Sequence, residues 1–309
     1  MHDIAFLKMD GCGNDYVFVD CLSAPLAVDP SRLAKVVSDR HTGVGSDGLV
    51  LILPPRSADA QASMRMFNAD GTESAMCGNA LRCLALWLHQ SGHVTDRCRI
   101  EIGNRIVLAE IRDSFPEQRA GVVSVLLGPP DQISPDLQSS VRPVSGYLDS
   151  AGNSGPGPLL RTSFLRTMEL LLPGLLPEAS TLLQVAVGNP HVVCFLKNIA
   201  DLDLRRIGPI IEHDARFPDR TNVNFVQKID QWSAFVRVWE RGCGETRACG
   251  SGACAVAVAG ISTGEFDRHQ PVKLTMPGGI LQVEWDASDN LRLTGPAREA
   301  FRGTIRIDQ

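Results

Sequence analysis

The apolar positions of this chain fall into two series of short strands, each with one long apolar helix among them. Strand-like runs stand at 5–9, 17–20, 49–53, 64–67, 106–110 and 122–127. A second series stands at 182–187, 192–195, 223–227, 234–239, 272–276, 281–285 and 291–294. Runs of about four to eight residues rich in Val, Ile and Phe have strand length. The clearest helices follow Cys77 and Cys249. After Cys77, the residues Ala80, Leu81, Cys83, Leu84, Ala85, Trp87 and Leu88 recur at helical spacing, and Gly92 supplies a stop. After Cys249, the residues Ala253, Cys254, Val256, Ala257 and Val258 leave hardly a polar face before Gly260, taken as the stop. A helix apolar all round should be buried. Weaker helical patterns cover Ser31–Asp39 and Leu202–His213.

The two helices begin in near-copies of one motif. Residues 68–83 read NADGTESAMCGNALRC and residues 240–254 read ERGCGETRACGSGAC. Cys77 and Cys249 lie 172 residues apart, each with a Glu four residues earlier (Glu73, Glu245) and a Gly and small polar residue after it (Gly78-Asn79, Gly250-Ser251). Gly13-Asn14 and Gly188-Asn189 repeat at an offset of 175. One long interval of this kind is a duplicated domain rather than a solenoid period. The expected organisation is an N-terminal half over 1–133 carrying Cys77, on which the last strand is free to pack. A variable insertion or linker over 134–181 follows, with a Gly/Pro/Ser-rich break at 150–158, then a C-terminal half over 182–309 carrying Cys249. Each half reads as strands wrapped on one central helix. The two helix starts would face each other across the domain interface, a common place for a ligand.

A thiol at a helix start is a chemical position. The first amides of a buried helix lack partners and, with the helix dipole, attract an anion such as a substrate carboxylate. The same field is expected to lower a cysteine pKa from about 8.5 into the range of roughly 3.5–7.5. A single Cys-Gly pair is more often a structural cysteine, but the duplication favours a pair of acid/base thiols. Other candidates are weaker alone. His191, after Asn189 and Pro190, could modulate a general base because free imidazole titrates near neutrality. Glu240 and Arg241 close a strand before a Gly-rich turn and could hold amino and carboxylate groups. Asn14, Asn68, Asn189 and Asn222 stand in turns or at strand ends, where turn chemistry accounts for any one of them.

Composition narrows the classes. The chain has 309 residues, about two domains' worth at ~150 each. Hydrophobic content of 44% and charge of 21% describe a globular protein with a real core. A net charge of −5 argues against nucleic-acid or acidic-membrane partners. No apolar run reaches the ~18 residues of a membrane span, and the N-terminus lacks a signal-peptide pattern. Nine cysteines without a CxxC pair read as reduced cytoplasmic thiols. The run GVGSDG at 43–48 matches GxGxxG but follows a helix and precedes a strand, the reverse of a dinucleotide site. The cysteine spacings lack zinc-finger or ribbon geometry, so no metal is expected.

Taken together, KMDGCGNDYVFVD (8–20), the two cysteine blocks, VGNPHVV (187–193) and FPDRTNVNFV (217–226) resemble the diaminopimelate epimerase family over most of the chain. The resemblance implies an α+β fold of two pseudo-symmetric domains, each a mixed strand barrel around a central helix. It implies conversion of LL-diaminopimelate to the meso isomer in lysine and peptidoglycan-precursor biosynthesis, with no pyridoxal phosphate, other cofactor or metal; a homodimer is left open. It puts Cys77 and Cys249 in the places of catalytic base and acid, with His191 and Glu240 as acid/base modulators and Asn14 beside the reacting centre. Asn68, Asn189, Asn222 and Arg241 stand where the distal centre is read. Gly78, Asn79, Gly250 and Ser251 stand where the carboxylate is bound. Cys77 and Cys249 are also expected to lie close enough to oxidise to an inactive disulfide. Three features depart from the family pattern: Gly48, where some members carry Gln; the extra thiols Cys12 and Cys243; and the length of 134–181, read as a surface insertion. The competing readings are a cofactor-free racemase acting on proline, hydroxyproline or histidine, and a non-catalytic protein storing thiols or a metal.

Overall fold

The computed structural model describes residues 2–74, 76–131, 165–169 and 181–307. Most of the 134–181 segment, with its Gly/Pro break, lies outside the described residues. The chain divides into two compact units. The first comprises residues 1–128, 277–282 and 292–309, and the second 129–276 and 283–291.

In the first unit eight strands close into a barrel. They are β1 (His2–Gly11), β2 (Asn14–Asp20), β3 (Gly48–Leu53), β4 (Ala62–Asn68), β6 (Arg97–Ile102), β7 (Arg105–Phe115), β8 (Ala120–Gly128) and β17 (Leu291–Ile307). β5 (Glu73–Ser74) is a short hairpin partner of β4. The ring runs β17–β1–β2–β3–β4–β6–β7–β8 and returns to β17. Closure leaves no unpaired edge. Its interior holds α2 (Gly78–Gln90), buried from Asn79 to Leu88. The helix ends at Gln90 because Gly92 takes a φ of +77°, a left-handed conformation that Gly adopts without steric cost. On the outer face, α1 (Pro30–Ser38) lays Leu33, Ala34 and Val37 on Val17, Val19, Leu49 and Leu51. Asp29 caps it by accepting from the Arg32 amide at 2.8 Å, and Pro30 occupies the first turn, where its missing N–H costs nothing.

The second unit repeats this plan with β9 (Leu165–Glu169), β10 (Thr181–Ala186), β11 (Pro190–Phe195), β12 (Asn222–Asp230), β13 (Ser233–Glu240), β14 (Gly244–Thr246) and β15 (Val272–Met276). β16 (Gly279–Trp285) contributes residues to both units. The pairings β9–β10, β10–β11, β11–β12, β12–β13 and β13–β15 run antiparallel, antiparallel, parallel, antiparallel, parallel. The pairings β17–β1, β1–β2, β2–β3, β3–β4 and β4–β6 have the same order of senses. The central helix is α4 (Gly250–Ser262), buried along its length, and the outer one is α3 (Leu204–Glu212), whose Leu204, Ile207 and Ile211 meet Val192, Val223 and Phe225. Asp203 caps α3 through the Arg206 amide, as Asp29 caps α1.

Four readings change. The strand β6 was not read from the sequence, because Arg97 and Arg99 alternate with Cys98 and Ile100 and mask its buried face. β17 runs on to Ile307, where only 291–294 was expected, and these later residues pair with β1. Helix α4 passes through Gly260 to Ser262; the lack of a side chain there admits the Phe266 ring. Part of the segment read as a surface insertion, 165–169, forms a strand paired with β10.

Candidate active site

Cys77 and Cys249 are the N-cap residues of the two central helices. Each has extended backbone angles (φ −147°, ψ 105° and φ −135°, ψ 117°), and each Sγ accepts from the amide three residues on, Ala80 or Gly252, at 3.4 Å. The thiol therefore stands where Ser or Asp stands in an ordinary cap, among the partnerless amides of the first turn. Ahead of each helix is a two-strand hairpin, β4–β5 or β13–β14, and Glu73 and Glu245 sit in these hairpins. They do not serve the thiols. Glu73 pairs with Arg65 and Glu245 with Arg237 across the strands at 2.8 Å. The shared Glu of the motif belongs to the hairpin that presents the helix.

Around Cys77 the structure gathers Asn14, Asn79 and Tyr16. Tyr16 is buried on β2 with its hydroxyl 3.2 Å from Cys77 Sγ. The amides form a chain of one direction: Arg82 Nη2 donates to Asn79 Oδ1 at 2.8 Å, Asn79 Nδ2 to Asn14 Oδ1 at 3.0 Å, and Asn14 Nδ2 to Asp47 Oδ2 at 3.4 Å. A cation at one end and a carboxylate at the other fix the orientation of both amides. Asn68 uses its side chain on its own turn, donating to Thr72 Oγ1 at 2.9 Å. Gly48 lies opposite Asn68 in the β3–β4 register, and a Cβ there would come 2.3 Å from the Phe67 carbonyl. This backbone has no room for a side chain at 48.

Glu240 and Ser251 stand beside Cys249, and His191, Asn189, Asn222 and Arg241 lie in the same unit. His191 is fully buried; its Nε2 meets Asn189 Oδ1 at 2.8 Å and its Nδ1 meets Asn224 Nδ2 at 3.3 Å. An amide oxygen only accepts and an amide nitrogen only donates, so the ring is the neutral Nε2–H tautomer. Burial, with the Arg241 charge adding to it, pushes its pKa down to about 3. The near-neutral titration expected of His191 is thus absent, and the ring acts here as a neutral, oriented dipole. Asn222 Oδ1 accepts from the Arg241 amide at 2.9 Å and its Nδ2 donates to the Pro190 carbonyl at 3.2 Å. Arg241 Nη1 donates to the Asp219 carbonyl at 2.7 Å. Glu240 accepts from Thr246 Oγ1 at 2.5 Å. Ser251 Oγ lies 3.5 Å from Cys249 Sγ.

The Cys249 thiol does not have the lowered pKa expected of a helix start. Burial pushes it well above the ordinary range, and the Glu240 carboxylate pushes it further, while Ser251 and the Gly252 amide pull only weakly the other way. Desolvation disfavours the anion more than one amide and a dipole favour it. At neutral pH Cys249 is a thiol.

The sequence reading missed Tyr16, Asn224 and Arg82. The offset of 175 that aligns Asn14 with Asn189 also aligns Tyr16 with His191, and following it two residues further would have found Tyr16. Asn224 is fully buried, donates to the Val192 carbonyl at 3.1 Å, and its Oδ1 has no hydrogen-bond partner among the described residues. Its nearness to α4 explains Gly252, where a Cβ would fall 2.5 Å from that oxygen. Among the described residues no group of three or more His, Cys, Asp and Glu side chains is arranged to hold a metal ion, and no helix is long and apolar enough to cross a membrane.

The sequence matches the family model described as diaminopimelate epimerase over residues 6–133 and 183–299. It is 39% identical over 303 residues to a diaminopimelate epimerase of Methanococcus maripaludis, covering 98% of this chain and 99% of that one. It is 42% identical over 306 residues to that of Desulfovibrio desulfuricans, covering 98% and 99%. Among solved structures, a probable proline racemase from Agrobacterium radiobacter aligns with a TM-score of 0.67 at 13% identity, covering 99% of this chain and 93% of that one. A predicted epimerase from Pseudomonas aeruginosa aligns at 0.63 and 16%, covering 99% and 100%. At such identities the structures show a shared fold.

Proposed function

Because the chain belongs to the diaminopimelate epimerase family, we propose that it is an isomerase inverting one α-carbon of LL-2,6-diaminopimelate to give the meso isomer, with Cys77 and Cys249 as its two acid/base groups. The observation that carries the thiol assignment is their identical placement as helix N-caps in two units of the same strand order. Inversion needs a proton removed from one face of the carbon and another delivered to the opposite face. One thiolate takes the α-proton and becomes a thiol; the other thiol gives its proton and becomes a thiolate. The sum of protons and charge is unchanged, and the reaction as proposed needs no cofactor. The thiols exchange states in the reverse direction.

The α-proton of an amino acid is only weakly acidic, so a positioned base supplies part of the acceleration, about 10²–10⁴-fold for each group. Stabilisation of the developing charge must supply much of the rest. The free amides at Gly78, Asn79, Gly250 and Ser251 are suited to the reacting carboxylate. Burial, with the Glu240 carboxylate adding to it, holds Cys249 in its proton-bearing form, and Asn189 and Asn224 hold His191 neutral. Asn68, Asn189, Asn222 and Arg241 are assigned to the unreacted end, whose amino and carboxylate groups a proline-type or histidine substrate lacks. Such a product feeds lysine and cell-wall precursor synthesis.

The test is incubation of reduced protein with LL-diaminopimelate in heavy water, following isomer content and α-deuterium. Meso product carrying solvent deuterium is expected. Exchange with histidine or proline and none with diaminopimelate would keep the two-thiol chemistry and overturn the substrate. No exchange with any of them would overturn the enzyme reading.

A further inference from the structure

The Cys77 helix contains a guanidinium that the reaction scheme above does not use. Arg82 is 0% exposed, one turn into α2. Its hydrogen bonds run to the Gly78 carbonyl at 3.4 Å, the Pro296 carbonyl at 3.3 Å and Asn79 Oδ1 at 2.8 Å, all uncharged. A buried charge without an opposite charge is costly, which is why such groups are normally paired. Arginine does not escape the cost by losing its proton. No carboxylate pairs with Arg82 among the described residues. The position 172 residues later, in α4, holds Cys254, so the Cys249 helix has no such cation.

We propose that Arg82 is a positioning residue whose buried charge favours the thiolate form of Cys77 over that of Cys249. This rests on the two-thiol reading above. The groups that act on Arg82 as potential counter-charges are Cys83, Cys12, Cys77 and Tyr16. Burial pushes the Cys83 and Cys12 thiols up, and the Asp10 carboxylate acts against both. Asp10 itself is engaged by Arg298 at 2.9 Å. Cys77 is the half-exposed member of the set, and its sulfur meets both the Ala80 amide and the Tyr16 hydroxyl. Of the anions Arg82 can have, the Cys77 thiolate is therefore the least costly to form. Arg82 also terminates the amide chain through Asn79 and Asn14, so one guanidinium orients the carboxylate-side amides and sets the charge of the base.

The test is alkylation of the reduced, full-length protein by iodoacetamide across pH, with the rates at the Cys77 and Cys249 peptides read separately by mass spectrometry. It needs no substrate, so its outcome is independent of whether diaminopimelate is the substrate. In the unsubstituted protein Cys77 should titrate below Cys249; a Cys77 midpoint at or above that of Cys249 would overturn the proposal. In Arg82→Met the Cys77 midpoint should rise by about 1–3 pH units, the shift expected from removing a nearby opposite charge. The Cys249 midpoint should stay, kcat at neutral pH should drop at least tenfold with KM little changed, and Arg82→Lys should restore part of the shift. An unmoved Cys77 midpoint in folded Arg82→Met would overturn it. Should Arg82→Met fail to fold, the unsubstituted protein and Arg82→Lys decide.

Discussion

The starts of α2 and α4 share a backbone and differ in almost everything the backbone carries. Both caps are cysteines in extended geometry accepting from the third amide. Beside Cys77 stand a phenol and, a turn below, a buried cation; beside Cys249 stand a carboxylate and a neutral imidazole network. The third residue is Ala80 in one helix and Gly252 in the other, because Asn224 crowds the second. Duplication supplies two equivalent places for a thiol, and on the proposed reading the surroundings divide them into anion and acid. A two-base inversion requires that division, since two resting thiolates could not donate and two resting thiols could not abstract.

The largest expected effect strikes both sides equally. Cys77→Ala and Cys249→Ala should each lower the isomerisation rate by at least about 10²–10⁴-fold. An assay of initial rates that finds one variant near full activity would end the symmetry of role. His191 offers a test on one side only. Its folded pKa of about 3 lies below the ordinary 6.5, so between those pH values the unfolded chain holds a proton that the folded chain does not. Stability should therefore fall as pH drops from 6.5 toward 3, by up to about 1.4 kcal/mol per pH unit. Denaturant unfolding of His191→Gln should show a flatter acid limb; an unchanged slope would place the imidazole in a wetter setting than the structure gives.

Exchanging the third residues sharpens the contrast in packing. Gly252→Ala forces a methyl against Asn224 and should cost about 1–3 kcal/mol. Ala80→Gly should cost only about 0.5–1 kcal/mol from the looser backbone. Equal losses in thermal or urea unfolding would mean that Asn224 swings away. The smallest effects belong to the hairpins. Arg65→Ala removes an exposed pair with Glu73 and should change stability by about 0.2–1 kcal/mol. Arg237→Ala should cost more, because Arg237 also donates to the carbonyls of Ile199, Ala200 and Leu202. A reversed order would show that those carbonyl bonds contribute little.

The two central helices and the sulfur atoms at their starts could be read from the chain, because an apolar run after a repeated Cys-Gly is a local signal. Most strands were legible for the same reason. The charge on each thiol was not. A field argument from the helix start predicts a lowered pKa at both, yet burial and Glu240 reverse it at Cys249, and neither burial depth nor which of the motif's carboxylates reaches the thiol is written in the motif. Arg82 escaped because a charged residue at helical spacing normally marks the solvated face. Here the barrel strands β1, β6, β7, β8 and β17 enclose all faces of α2. The second half of β17 escaped because arginines and Glu299 interrupt its apolar pattern, and its partner is the strand farthest away in sequence.

That partnership governs the order in which the molecule can be made. β1 lies in register against residues 298–307, and Ile307 faces His2. β1 must wait until residues 298–307 are made before its neighbour exists, whereas α4 and the strands β10 to β13 can gather as soon as they emerge. At about 5–20 residues per second this delay is on the order of tens of seconds. For that interval the Cys77 helix sits in an open trough of strands, apolar and exposed, with Arg82 not yet roofed by Pro296. Long-range closure of this sort is slow and aggregation-prone until the β1–β17 pairing forms.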